Sequence, residues 1–374
     1  MKKKIVLAVV VAAVVLAAAF ALHRPQAGTQ PTPEPTRQAE TNDAVPAEPT
    51  PQPAATAEPQ PTATTVPQQT TAPKPTQKPA TKKTPVLNAA GQPTASAAPA
   101  EASSMAGVAV AVATTTGTGW INEAEAASLE YMYNGNTAIV SMQYSFLPSW
   151  ISFLVDKANA QEAGQDLFEE VDALVRQMPE GKRPKLVVFG ESLGSFGGEA
   201  PFQSLNNLVA RTDGALFSGP TFNNPIWTEL TRYRDAGSPE KLPIYDDGLN
   251  ARFGSRPEDL NRPANATWGH PRVVYLQHAS DPIAWWNPDL LFARPDWLEE
   301  PRGRDVSPRM EWIPVVTFLQ VSADMAVAVD VPDGHGHVYV RDVANAWADV
   351  LQPPEWTDEK TERLRPLLHP SAGT

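Results

Sequence analysis

Gly190-Glu191-Ser192-Leu193-Gly194 is the segment of this chain whose residue types and spacing point most directly to chemistry. A serine flanked at two residues on either side by glycine can sit on a sharp turn between a strand and a helix, because the missing side chains let the two backbones approach. Ser192 would then project its hydroxyl beyond the sheet end. The backbone N–H of Leu193, at the start of the following helix, would face an oxyanion. That chemistry is nucleophilic attack on an acyl carbonyl. The same five-residue pattern also arises by chance in glycine-rich loops, so its surroundings decide its weight. Leu186 to Phe189 ahead of it form a short apolar run suited to a strand buried on both faces, and Gly197-Gly198 beyond it allow close helix packing. Ser195 has Leu193 two residues ahead of it and fails the steric requirement.

A serine hydroxyl is a poor nucleophile until a base takes its proton, and the base needs an acid to orient it. Asp281 lies just past the apolar run Arg272 to Gln277, in His278-Ala279-Ser280-Asp281-Pro282, where an acid leaving a strand end is expected. Farther on, Asp333-Gly334-His335-Gly336-His337 places two histidines on a small-residue loop ahead of the helix-like stretch Asp342 to Leu351. One of them is the expected base. His335 is favoured, because its distance from the final helix leaves room for a loop to cross the sheet edge, and His337 stands close behind it. Taken singly, an Asp before Pro is often a turn residue or cap, and a Gly-His-Gly-His loop can bind metal. The order serine, acid, histidine, each near a strand end, favours the triad. No carboxylate and histidine cluster nearby completes three metal ligands, so no metal and no cofactor is expected. His278 is read as a buttress of the acid loop.

These groups need a scaffold that brings them to one end of a sheet. Gly107 to Ala113 reads as a buried strand leading into the small-residue loop Thr114 to Trp120. Helix is expected from about Asn122 to Met132, strand from Thr137 to Tyr144, and helix from Ala158 to Met178. The elbow strand follows, and then strands at Gly214–Ser218 and Arg272–Gln277. Strands alternating with helices imply an α/β fold with a doubly wound, mostly parallel sheet. Ligands of such sheets sit beyond the C-terminal strand ends, where Ser192 would lie. The loop after the first strand should supply the second oxyanion donor, and Gly117 within Thr116 to Thr118 is assigned to it.

The 374 residues divide into unequal parts by composition. Three lysines precede the uncharged run Ile5–Leu22, which as a helix would measure about 27 Å, close to a hydrocarbon core. Residues 1–22 therefore read as a membrane anchor or an export signal, with the lysines cytoplasmic and the remainder outside. An uncleaved anchor is preferred, although Ala19-Phe20-Ala21 could be read by a signal peptidase. Residues 23–104 are rich in Pro, Thr, Ala and Gln and cannot bury a core, so they read as a disordered spacer. Residues 105–357 read as the globular domain and 358–374 as a tail. A net charge of -12 argues against a nucleic-acid partner. The absence of cysteine removes disulfides, thiol catalysis and thiolate metal sites.

At this point the chain resembles a bacterial, mostly actinobacterial, alpha/beta-hydrolase family whose members carry a membrane region ahead of a hydrolase domain. The resemblance rests on Thr114 to Trp120, Gln143 to Phe153, the Ser192 elbow, Tyr275 to Pro282 and Gly334 to His337, and it spans roughly Val108 to Trp356. It implies a serine-hydrolase fold with Ser192 as nucleophile. Here one apolar segment and a spacer stand where the family has several membrane helices and a further strand-containing segment. The sheet is accordingly expected to lack its first edge strands, leaving the edge near Val108 open.

The function expected is that of a membrane-tethered, extracytoplasmic serine hydrolase of small-molecule or lipid esters. The same triad would serve an acyltransferase, and a hydrolase scaffold could instead act as a non-catalytic envelope protein that binds a protein or lipid partner. Gly219 to Pro271 reads as a long insertion. After it, Trp285-Trp286, Trp297 and Trp312 either roof an apolar acyl pocket or pack in the core. Asn265-Ala266-Thr267 fits a glycosylation pattern that carries no weight in a bacterial chain.

Overall fold

The computed structural model describes residues 107–368. The expected anchor, 1–22, and spacer, 23–104, lie outside the described residues. Within them six strands form one sheet: β1 Ala109–Thr114, β2 Thr137–Met142, β3 Lys185–Glu191, β4 Gly214–Ser218, β5 Ala251–Gly254 and β6 Arg272–Leu276, in the order β2-β1-β3-β4-β6-β5. Every adjacent pair is parallel. All strand C-termini therefore open toward one end.

Both faces of the sheet are covered, which explains why β3 and β4 read as continuous apolar runs rather than alternating ones. On one face Val112, Val188, Phe217 and Tyr275 pack in a cluster with Phe168 and Val171 of the helix α3 Lys157–Gln177. On the other, Ala111, Phe189, Leu216 and Val274 pack with Leu129 of α1 Glu123–Met132 and Trp347 of α9 Val343–Leu351. Each fully buried Leu or Phe on these faces contributes about 1.5–3 kcal/mol relative to an exposed one. The remaining helices are α2 Ser149–Val155, α4 Leu193–Glu199, α5 Leu205–Arg211, α6 Pro225–Arg232, α7 Pro282–Trp285, α8 Val316–Asp324 and α10 Asp358–Leu368.

Three sequence expectations change. The open edge is not near Val108: β1 is paired on both sides, and among the described residues β2 is the edge strand beside it, its side chains half-buried or exposed. The stretch 219–271 is not wholly an insertion, because β5 inside it extends the sheet beyond β6. Residues from 358 do not form a tail. Their helix α10 buries Thr361, Leu364 and Leu368, with Leu364 and Leu368 in the Trp347 cluster, so the domain runs through Leu368. Among the described residues no helix is long and apolar enough to cross a membrane.

Candidate active site

The glycines of the elbow are a steric necessity. A β-carbon on Gly190 would stand 2.6 Å from the Gly194 carbonyl, and one on Gly194 would collide with the Thr114 carbonyl. This close approach lets α4 start immediately after β3. Ser192 at the junction takes φ 56° and ψ −123°, a conformation that costs a non-glycine residue about 1–3 kcal/mol and survives only where its surroundings dictate it. Its N–H donates to the Ser218 carbonyl at 2.9 Å, which anchors the turn to β4, and its carbonyl accepts from Ser195 Oγ at 2.6 Å. Ser192 is half-buried, whereas Ser195 is fully buried and bound to Asn224, consistent with a structural role.

Asp281 caps α7: its Oδ1 accepts from the Ile283 N–H at 2.8 Å. Its Oδ2 accepts from Nδ1 of His337 at 2.7 Å and from the Tyr339 hydroxyl at 2.7 Å. A carboxylate can only accept, so Nδ1 of His337 carries the proton and Nε2 is the free end of the neutral ring. The ring lies directly against Gly219, the residue after Ser218: a β-carbon there would come within 2.7 Å of Nδ1. Nε2 is buried and has no hydrogen-bond partner. The two histidines of the loop thus part company. His335, favoured from the sequence, is half-buried with Nδ1 against the carbonyl of Asp333 in its own loop, and it is His337 that the fold joins to Asp281.

The loop is held by contacts from the acid side. His278 Nδ1 donates to the Gly336 carbonyl at 2.9 Å, and its ring stacks on Tyr339 at 4.4 Å. The Gly336 N–H donates to Ser280 Oγ at 2.9 Å, and Ser280 Oγ in turn donates to Asp305. His278 therefore ties the acid loop to the histidine loop.

Burial disfavours charge on both partners, and their mutual attraction overcomes it. Burial alone would push the Asp281 carboxyl up, yet the His337 ring beside it and its three hydrogen bonds hold it below the ordinary value. Burial likewise pulls the His337 imidazole down, but Asp281, and next to it Glu191, raise it to about 9. Glu191 and Tyr339 are site residues the sequence reading passed over. Glu191 occupies the variable position before the nucleophile, and its Oε1 lies 3.8 Å from Nε2 of His337.

The two expected oxyanion donors sit in different settings. Leu193 is the first residue of α4, so its N–H has no acceptor within the helix. The Gly117 carbonyl accepts the N–H groups of Tyr144 and Ser145 at 3.1 and 3.0 Å, and a β-carbon on Gly117 would stand 3.3 Å from Ser152 and 3.4 Å from Ser145. The loop's contacts with the elbow come from Thr114 and Thr115, whose carbonyls border Gly194.

The tryptophans are engaged in packing and hydrogen bonding. Trp285, Trp286 and Trp297 are core residues at 4%, 8% and 6% exposure, and the indole N–H groups of Trp285, Trp286 and Trp312 bond to His278, Ser322 and Leu290. Trp285 and Trp297 border a cavity of about 550 Å³ whose lining mixes apolar groups with Asp281, Asp305, Arg309 and Asp324 and includes neither Ser192 nor His337. Among the described residues no group of three or more His, Asp or Glu side chains is arranged to hold a metal ion.

Residues 98–364 match the family described as the alpha/beta-hydrolase family. No curated protein matches the chain. Among solved structures, an acetylxylan esterase is similar at 15% identity over 48% of this chain and 85% of its own, with a TM-score of 0.29. Lysin B from mycobacteriophage D29 is similar at 13% identity over 65% of this chain and 98% of its own, with a TM-score of 0.32.

Proposed function

This chain belongs to the alpha/beta-hydrolase family, and from that premise we propose that it is a serine ester hydrolase acting through Ser192, His337 and Asp281. The observation that carries the reading is the 2.7 Å bond from His337 Nδ1 to Asp281, which leaves a buried, unpartnered Nε2 beside the strained elbow. In the reaction Ser192 Oγ attacks the acyl carbon while its proton passes to Nε2 of His337. Asp281 keeps the ring in the tautomer that accepts there and stabilises the imidazolium. The carbonyl oxygen takes up the displaced electron pair, with the Leu193 N–H as one of its donors. The imidazolium then returns the proton to the leaving alcohol, and water resolves the acyl-enzyme by the same steps in reverse order.

Incubation of the full-length chain in detergent with a fluorophosphonate probe tests this reading. Intact mass should show a single adduct on the wild type and none on Ser192→Ala. A wild type that is folded but never labels would remove the catalytic reading in favour of a binding role. A panel of esters with increasing acyl length then defines the substrate class.

The reading extends to place. The Lys2–Lys4 cluster and the Ile5–Leu22 run support a tether that leaves the hydrolase domain outside the cell membrane, at the end of the Pro-rich spacer. External protease on intact cells should then release a fragment containing the domain. Retention of an intact chain that is digested only after lysis would overturn it.

A further inference from the structure

Acids are rarely buried unless paired, and the nucleophile of this chain follows directly on one. Glu191 closes β3 at 7% exposure. One of its oxygens lies 3.8 Å from the unpartnered Nε2 of His337, on the opposite side of the imidazole from the nitrogen that holds Asp281. The other accepts a 2.5 Å bond from Nδ2 of Asn122. Asn122 is fixed in that orientation, because its Oδ1 caps α1 by accepting the N–H groups of Ala124 and Glu125. The fold thus supplies Glu191 with a dedicated donor and aims its remaining oxygen at the base.

Glu125 decides the charge on Glu191. It is fully buried, its Oε1 accepts from Ser218 Oγ at 2.5 Å, and its Oε2 has no partner. Burial and the neighbouring Glu191 charge hold the Glu125 carboxyl well above the ordinary range. Glu191 is also raised, by burial and by Asp281, but His337 and the Asn122 bond counter the rise, whereas Glu125 has the Ser218 bond and no cation beside it. Of two coupled buried carboxyls only one readily ionises, and the one with a cation and an amide donor beside it keeps the charge. Glu125 therefore holds the proton and Glu191 the negative charge. The remaining groups facing the imidazole are Asp281 and the Tyr339 hydroxyl, with His278 stacked behind Tyr339.

We propose that Glu191 is a positioning residue for the base: it stabilises the His337 imidazolium from the Nε2 side and sets the pH at which the neutral, accepting ring becomes available. The proposal rests on the Ser192–His337 reading above. As the bond from Ser192 Oγ to the acyl carbon forms, the serine proton moves to Nε2, and Glu191 stays ionised throughout without exchanging a proton. The charge acts in two directions. It lowers the energy of the imidazolium formed during acylation, and it also keeps the resting ring protonated to higher pH. Since the base works only when neutral, activity should climb as pH rises through the His337 value of about 9. Loss of the Glu191 charge should move that limb downward while lowering the plateau.

The test uses the full-length chain with two readouts: the rate of fluorophosphonate labelling from pH 5 to 10, and the His337 imidazole titration followed by NMR on 15N-histidine-labelled protein. In Glu191→Gln the labelling limb and the NMR midpoint should both fall by at least about one pH unit, and the plateau rate by about tenfold. Glu191→Asp, which keeps the charge, should hold the limb near that of the wild type. A folded Glu191→Gln whose limb and NMR midpoint match the wild type would overturn the proposal. If Glu191→Gln does not fold, the NMR titration of Asp281→Asn decides: with the Asp281 charge gone, a His337 midpoint at or below about 6.5, the ordinary histidine value, overturns the proposal, and one well above supports it. The NMR readout needs no turnover, so a failure of the pairing is distinguished from a failure of Ser192 to react.

Discussion

The elbow and the histidine loop each hold one of the two groups proposed to react, and they are built in opposite ways. In the elbow, five consecutive residues carry their own geometry: Gly190 and Gly194 let β3 and α4 meet, and the serine between them has no other place to go. In the histidine loop nothing local distinguishes His335 from His337, since both follow a glycine. The choice is made by residues far along the chain. Asp281 lies 56 positions from the histidine it binds, and His278 holds Gly336 across 58. A motif whose constraint is steric and short-range can be read from the chain, whereas a residue selected by distant partners cannot.

The largest effects should come from cutting both halves of this contrast at the reacting atoms. Ser192→Ala removes the proposed nucleophile and His337→Ala removes the proposed base. Each should lower ester turnover by at least about 10³-fold, and the double variant should be little worse than either single one, because residues of one catalytic unit are not additive. Steady-state rates for the three proteins check it. A double variant whose loss is the product of the two single losses would mean that Ser192 and His337 do not act together.

How much was legible follows the same division. Strand β4 was read with its observed limits, Gly214–Ser218, and β3 was marked by its unbroken apolar run, because burial on both faces leaves a clear signal in a parallel sheet. Strand β5 was missed. It has four residues, and its second, Arg252, is buried with its guanidinium bonded to the carbonyls of Gly248, Leu260 and Ala266 and stacked over Trp268. A paired charge inside a strand erases the apolar pattern. The helix α10 was hidden by its charged composition, since only Thr361, Leu364 and Leu368 turn inward. Around the candidate site, the turn at Ser192 and the strand end ahead of Asp281 are legible in the sequence. Glu191 was not, because the elbow pattern leaves that position free, and only the fold brings its carboxylate to the imidazole.

An intermediate effect should appear on stability. Gly194→Ala adds a single methyl group where the Thr114 carbonyl already stands, so β3 and α4 must separate or the elbow must distort. Overpacking of this kind costs about 1–3 kcal/mol, which for a domain of this size corresponds to a fall in Tm of several degrees. Differential scanning fluorimetry against wild type measures it. An unchanged Tm would show that the elbow has slack, and the claim that its geometry is locally enforced would fail.

The smallest effect is the one that sharpens the contrast most. His335 differs from His337 by two positions and by the absence of any contact with Asp281; its Nδ1 meets only the Asp333 carbonyl in the same loop. His335→Ala removes a half-buried ring that holds no other part of the site. The backbone bond from the His335 N–H to the Pro332 carbonyl does not depend on the side chain and should persist. The labelling rate should therefore stay within about twofold of wild type, and the unfolding free energy within about 0.5 kcal/mol, the range of substitutions away from special contacts. His337→Ala measured beside it supplies the scale. If the two variants lost activity alike, the loop would act as a unit and the pairing with Asp281 would no longer be what selects the base. If His335→Ala alone were inactive, the assignment would revert to the residue that the sequence favoured.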